Sequence, residues 1–146
     1  MSRPASSPVA ITALVWLAIV SAACGPSATA PASASPKPSL GPRPSSPAVV
    51  TIVEPTPNEV VTGSSVHVVL TLQNAKIVAQ TTTNIRPDEG HIHLYVDNVL
   101  YSMNYQLEQD LPVHPGTYVL KAEFVAADHA PFSPRVLSPE VVFVVH

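Results

Sequence analysis

Apolar and polar residues alternate regularly along the chain from Val49 to its C-terminus. Between Ser65 and Leu72, and again between Thr117 and Ala126, every second residue is apolar, and short breaks rich in Pro, Gly, Asn or Asp separate such segments. Successive side chains of a β-strand point to opposite faces, so this alternation indicates strands with one buried face. The predicted strands are Val49–Glu54, Ser65–Leu72, His91–Asp97, Leu100–Tyr105, Thr117–Ala126 and Glu140–His146, with a further short strand within Lys76–Thr82 or Gln106–Leu111.

No segment has the pattern of a capped amphipathic helix. About seven short strands in about one hundred residues predict an all-β fold, an immunoglobulin-like antiparallel β-sandwich that occupies residues 49–146. Asp97-Asn98, between two apolar runs, predicts a tight hairpin turn. The stretch from Leu111 to Tyr118, with Gly116 just before the strand, resembles the tyrosine corner of immunoglobulin-like folds. That resemblance implies that the Tyr118 hydroxyl bonds back to upstream backbone.

The N-terminal segment has the pattern of an export signal. Arg3 and the terminal amine precede Val9 to Val20, twelve residues that are apolar except for Thr12. Twelve residues rise about 18 Å as a helix, whereas the hydrocarbon core of a bilayer is about 30 Å thick. The segment is therefore predicted to be a signal peptide, residues 1–23, and not a permanent membrane helix.

Ser21-Ala22-Ala23-Cys24 follows the apolar run and resembles the lipobox of bacterial lipoproteins. The resemblance implies that the signal is cleaved before Cys24 and that acyl chains on this cysteine anchor the protein to the cell membrane, with its domain on the extracytoplasmic side. The alternative is an ordinary signal that is cleaved after Ser-x-Ala, which would leave Cys24 as a free thiol. Cys24 is the only cysteine of the chain, so the domain has no disulfide.

Residues 24–48 are predicted to be a disordered tether. The 24 residues after Cys24 include seven prolines, many Ser and Ala, and only Lys37 and Arg43 as charged residues. Such a composition cannot form a core. In an extended polyproline conformation it would reach about 75 Å from the lipid surface.

The charge of the predicted domain limits its partners. Ten acidic and four basic residues from Val49 onward give a net charge of -6, although the whole chain carries -3. This balance excludes a nucleic-acid-binding surface, which needs clustered cations. An acidic domain is compatible with cation binding.

Chemistry is most strongly indicated by the segment from Gly90 to Asp97, which reads GHIHLYVD. In a strand, His91 and His93 share a face and their Cα atoms lie about 7 Å apart, so the two imidazoles can converge on one metal ion. Copper or zinc would need further ligands, of which His129 is the first candidate. The other candidates are His114, His67, Asp97 and Met103. The alternative is that these histidines are solvated or hydrogen-bonded residues of an outward face.

The GHIH strand, the later PGTY strand and Asp128-His129 together resemble a group of small exported bacterial domains of unknown function. The resemblance implies a β-sandwich and an exported location but no activity. A weaker resemblance to cupins rests on His91, His93 and Asp97, and the second cupin motif is missing around Gly116.

The pattern does not favour an enzyme. Ser133 and Ser138 follow His129 closely, but no G-x-S-x-G elbow is present. Two functions are therefore expected first from the sequence, and a metal-dependent enzyme, which would need the same histidines and an open cleft, is the third. The first is a non-catalytic binding or accessory module at the cell surface, whose partner is an envelope protein or wall polymer. The alternative is a copper- or zinc-binding lipoprotein that uses His91 and His93 with His129.

Overall fold

The structure, a computed structural model, describes residues 41–146. The predicted signal peptide, Cys24 and the tether as far as residue 40 lie outside the described residues. None of the elements in residues 41–146 is a helix, so this part of the chain has no helical segment that could cross a bilayer.

The described residues form an all-β sandwich, as the alternation predicts. Its ten strands are β1 (Val49–Glu54), β2 (Val60–Val61), β3 (Ser65–Gln73), β4 (Lys76–Ile77), β5 (Glu89–Val96), β6 (Val99–Asn104), β7 (Glu108–Pro112), β8 (Gly116–Ala126), β9 (Pro131–Leu137) and β10 (Val141–Val145).

Two sheets make up the sandwich. The smaller has the order β1-β3-β7, and the larger has the order β2-β10-β8-β5-β4, with β6 also paired to β5 and β9 also paired to β8. The long pairings are antiparallel, whereas the two-residue strands β2 and β4 pair in parallel with β10 and β5. The larger sheet is therefore mixed, which differs from the purely antiparallel arrangement expected.

The core lies between the inner faces of the two sheets. Val66, Val68 and Leu70 of β3 are buried, as their alternation predicts, and Leu72 is half-buried. Burial of such apolar surface is the main favourable contribution to folding. The other buried apolar residues of the core are Ala48, Val50, Ile52, Ile92, Leu94, Leu111, Val113, Leu120, Ala122, Phe124, Ala126, Phe132, Val141, Phe143 and Val145.

Two turns follow from particular residues. Asp97 and Asn98 have φ values of 50° and 65°, the left-handed pair that a tight hairpin turn requires, and the predicted turn is present. The Tyr118 hydroxyl lies 3.0 Å from both the backbone nitrogen and the carbonyl oxygen of His114. This is the hydrogen bonding to upstream backbone that the resemblance to a tyrosine corner predicts.

Strand β9 is not among the predicted strands, and its segment contains two prolines. Strand β9 pairs with β8 on one side only among the described residues. Proline is tolerated at such an edge because its missing N–H removes no ladder bond. Strand β9 lies beside the C-terminal part of β8 in the larger sheet, and the loop between these two strands contains His129.

The N-terminal boundary of the packed region also differs from the predicted one. Ala48 is buried in the core, and the carbonyl of Pro44 accepts a hydrogen bond from the backbone nitrogen of Ser133 at 2.9 Å. Residues 43–48, which the composition assigns to the tether, thus pack along the domain.

Candidate metal centre

Three histidines meet on the outer face of the larger sheet. His91 and His93 project from β5, and His129 lies in the loop between β8 and β9. Their ligand nitrogens all lie within 4.8 Å of one another, and the Nε2 atoms of His91 and His93 are 3.2 Å apart. We call these three residues the histidine cluster.

The register of β5 against β8 explains how the cluster forms. His91 lies opposite Val125 and Gly90 opposite Ala126, so β5 begins where β8 ends. A β-carbon on Gly90 would lie 2.0 Å from the Val125 carbonyl oxygen, so only glycine allows the two strands to approach this closely. The loop that leaves β8 therefore emerges beside His91.

Two of the three histidines are buried and His129 is half-buried, which differs from a solvated outward face. His91 and His93 are 1% and 6% exposed, and β5 is buried on both faces from Gly90 to Leu94. The pKa of His91 is lowered to about 3, mainly by burial and to a smaller extent by the nearby His129 and His93. Burial also lowers the pKa of His93, although the Glu123 carboxylate opposes this effect. Both imidazoles are consequently neutral at pH 7, which is the form that binds metal ions.

The local conformation of His129 presents one ring nitrogen without a partner. His129 has a φ of 64°, and its backbone nitrogen donates to the carbonyl of Ala126 at 2.9 Å, which closes a tight turn. Its Nε2 lies 3.3 Å from the Thr81 hydroxyl. Its Nδ1 is buried and has no hydrogen-bond partner among the described residues. Because a buried unpaired nitrogen is costly, Nδ1 is the atom that a metal ion would satisfy.

The spacing of the nitrogens can be compared with that of a metal site. Metal–nitrogen bonds of about 2.05 Å at tetrahedral angles place two ligating nitrogens about 3.3 Å apart. The His91–His93 separation of 3.2 Å matches this value, and in the structure it is a hydrogen bond between the two imidazoles. The widest separation within the cluster, 4.8 Å, exceeds it by about 1.5 Å, so the ring nitrogens would have to move closer together for all three to bind one ion.

An ion pair fixes the loop that carries His129. The Asp128 carboxylate, whose side chain is fully buried, accepts hydrogen bonds from both terminal nitrogens of Arg43, at 2.6 and 3.0 Å. Arg43 also donates to the carbonyl oxygens of Ala130 and Pro131, at 2.9 and 2.8 Å. One side chain from the start of the domain therefore holds the residues on both sides of His129. Sequence reasoning missed this contact because Arg43 lies in a stretch with the composition of a tether.

A second buried charge lies beside His93. Glu123 of β8 faces His93 across the strand pair and is fully buried. Its carboxylate accepts a hydrogen bond from Arg135 Nε at 2.7 Å and another from the Tyr95 hydroxyl at 2.9 Å. This pairing raises the pKa of Arg135, whereas burial raises the pKa of Tyr95. The alternation along β8 predicts that Glu123 lies on the outer face. Its burial depends on the contact with Arg135, which no sequence pattern indicates.

The remaining candidate ligands are placed differently. His67 lies on the smaller sheet and pairs with Asp110 at 2.9 Å, which raises the pKa of its imidazole. Asp97 is a turn residue whose carboxylate accepts from the Val119 backbone nitrogen at 2.9 Å. His114 precedes β8 and is exposed. Met103 alone is close in register, since it lies opposite His93.

An open cleft of about 310 Å³ lies elsewhere, between β1 and β9. Arg135 lines it, but none of the three histidines does.

No known family model, curated protein or solved structure matches the chain.

Proposed function

We propose that this domain binds a transition metal ion, copper or zinc, through the three imidazoles of the histidine cluster. The observation that carries the proposal is the convergence of three imidazoles from two separate segments, two of them buried and one half-buried. Imidazole nitrogens suit both metals, and three of them leave one coordination position for a further ligand.

The electrostatics of the cluster support the same function. Three imidazoles packed together would repel one another if they were protonated, and the lowered pKa of His91 and His93 keeps both neutral. The buried Asp128 and Glu123 each lie beside the cluster and are paired with an arginine. These pairs hold the surrounding segments in place and leave the histidines as the ligands.

We also propose that the domain is exported and is anchored to the membrane by acylation of Cys24, with the tether between the lipid and residue 43. The support is the sequence alone: the apolar run, the lipobox-like residues and the lone cysteine. Metabolic labelling with an alkyne fatty acid tests this step. Label on the wild-type chain and none on Cys24→Ser is expected, whereas an unlabelled wild-type chain would contradict it.

Titration calorimetry with Cu²⁺ and Zn²⁺ tests metal binding. The protein is the purified full chain in mild detergent with Cys24→Ser, which removes the one thiol that could compete for metal. We expect submicromolar binding of one ion, abolished by His91→Ala with His93→Ala. The matched control changes the exposed His67 and His114 to Ala and should leave binding unchanged. Binding that is equally sensitive to both pairs, or to neither, would refute the proposal.

A second function, the non-catalytic binding module, is favoured by one surface. Strand β6 pairs only with β5 among the described residues and exposes Val99, Tyr101 and Met103. An open apolar edge is suited to pairing with an envelope protein. Crosslinking in cells should capture a partner with the wild-type chain and lose it with Val99→Lys and Tyr101→Lys. Identical capture by both chains would refute this role.

A further inference from the structure

We infer that the Met103 thioether is the fourth ligand of the histidine cluster and makes the site selective for copper, above all for Cu(I). This inference rests on the proposed metal function and names its metal. It adds a ligand from a third strand, β6, to the residues of β5 and of the loop after β8.

The first observation is the register of β6. Met103 is the direct antiparallel partner of His93, so the two side chains leave the same face of the larger sheet. Side chains in such a pair have β-carbons about 5 Å apart. A methionine side chain has three rotatable bonds, so its sulfur can reach a metal ion held at the His93 imidazole.

The second observation is that the chain beyond Met103 stays close to the cluster. The ring of Tyr105 lies 5.2 Å from the ring of His91, centroid to centroid. The segment from Met103 to Tyr105 therefore runs alongside the two histidines of β5. Met103 is consequently on the side of the cluster that neither β8 nor its following loop occupies.

The third observation is that packing does not account for Met103. Its side chain is 55% exposed at the edge of the sheet, although methionine is an apolar residue. It is the only methionine in residues 41–146. An exposed thioether opposite a buried imidazole is free to turn toward a metal ion without disturbing the core.

The chemistry of the donor set then selects the metal. Imidazole binds Zn²⁺, Cu²⁺ and Cu(I), but a thioether is a soft ligand that favours Cu(I) over Zn²⁺. The Asp and Glu side chains next to the cluster are paired with Arg43 and Arg135, so hard oxygen ligands do not compete for the fourth position. Three imidazoles and one thioether thus form a copper site.

The test uses the same Cys24→Ser chain with Met103→Leu, a change that keeps apolar volume at an exposed position. Cu(I) affinity is measured under argon by competition with bicinchoninate, and Zn²⁺ affinity by calorimetry. We expect Met103→Leu to lower Cu(I) affinity at least about tenfold and to change Zn²⁺ affinity less than about twofold. Tyr101→Leu, on the same strand, is the control and should alter neither affinity.

Selenomethionine labelling identifies the ligand directly. The labelled chain has selenium only at Met1 and Met103, so X-ray absorption at the copper edge should show a copper–selenium vector that Met103→Leu abolishes. Copper binding that depends on His91 and His93 but has no such vector and the same Cu(I) affinity in Met103→Leu would overturn this inference alone. Metal binding that is indifferent to the histidines would overturn the proposed function and this inference with it.

Discussion

Replacement of Arg43 by Ala should destabilise the domain although this residue precedes the first strand. Arg43 donates two hydrogen bonds to the Asp128 carboxylate and also binds the carbonyls of Ala130 and Pro131. The Asp128 side chain is fully buried, and that of Arg43 is 19% exposed. Removal of one partner of a buried ion pair costs about 3 to 5 kcal/mol, because the other charge stays buried without its counter-charge. Because Arg43 is partly hydrated, we expect the lower value, about 3 kcal/mol.

Urea denaturation followed by fluorescence or circular dichroism measures this change in the free energy of unfolding. Adding Asp128→Asn to Arg43→Ala removes the buried carboxylate charge that has lost the Arg43 guanidinium and should restore part of the lost stability. Arg86→Ala is the matched control, because Arg86 is 60% exposed and its ion pair with Glu89 is at the surface. Surface pairs contribute about 0 to 1 kcal/mol. Equal losses for Arg43→Ala and Arg86→Ala would refute the assignment of Arg43 to the domain.

Three further predictions concern the sheet and the cluster. Gly90→Ala should destabilise the fold by about 2 kcal/mol or more in urea denaturation, because its new β-carbon would collide with the Val125 carbonyl. Tyr118→Phe should cost about 1 kcal/mol by the same measurement, since it removes the hydroxyl that bonds the upstream backbone. Without metal, stability should fall as the pH falls from about 6.5 toward 3, by about 1.4 kcal/mol per pH unit for His91 alone. The sign follows because the unfolded imidazole gains a proton in this range and the folded one, with its lowered pKa, does not.

Each of these predictions has a control. Gly116→Ala should be nearly neutral, because a β-carbon there would meet nothing closer than 3.8 Å. Tyr101→Phe changes a half-exposed tyrosine of β6 and should have little effect. The pH dependence should become shallower in His91→Ala, and an unchanged slope would show that other groups cause it. If the Gly90→Ala variant is as stable as the Gly116→Ala variant, this result would contradict the close approach of β5 and β8.

The sequence predicts much of this fold because side-chain alternation is a local signal. The bounds of β1 follow directly from it, and β3, β5, β6, β8 and β10 agree with it to within about two residues. Both places suggested for an extra short strand contain one, β4 and β7. Strands β2 and β9 were missed, since the first has two residues and the second contains Pro131 and Pro134. Their pairing is set by neighbouring strands and not by their own composition.

The candidate site was predictable in its members but not in its surroundings. The spacing of His91 and His93 places both on one strand face, and the structure brings His129 to them. Burial of that face could not be read from the alternation, because it depends on distant partners. Arg43 is 85 residues from Asp128, and Arg135 reaches Glu123 from an unpredicted strand.

If the domain is held by an N-terminal tether, as proposed above, the position of Arg43 has a mechanical consequence. A pulling force that enters the domain at residue 41 meets the Arg43 side chain before it reaches β1 at Val49. Arg43 forms hydrogen bonds to the loop on both sides of His129, so we expect the pulling force to act on that loop first. Tension along the chain is thereby transmitted to a metal-ligand candidate before it reaches the hydrophobic core.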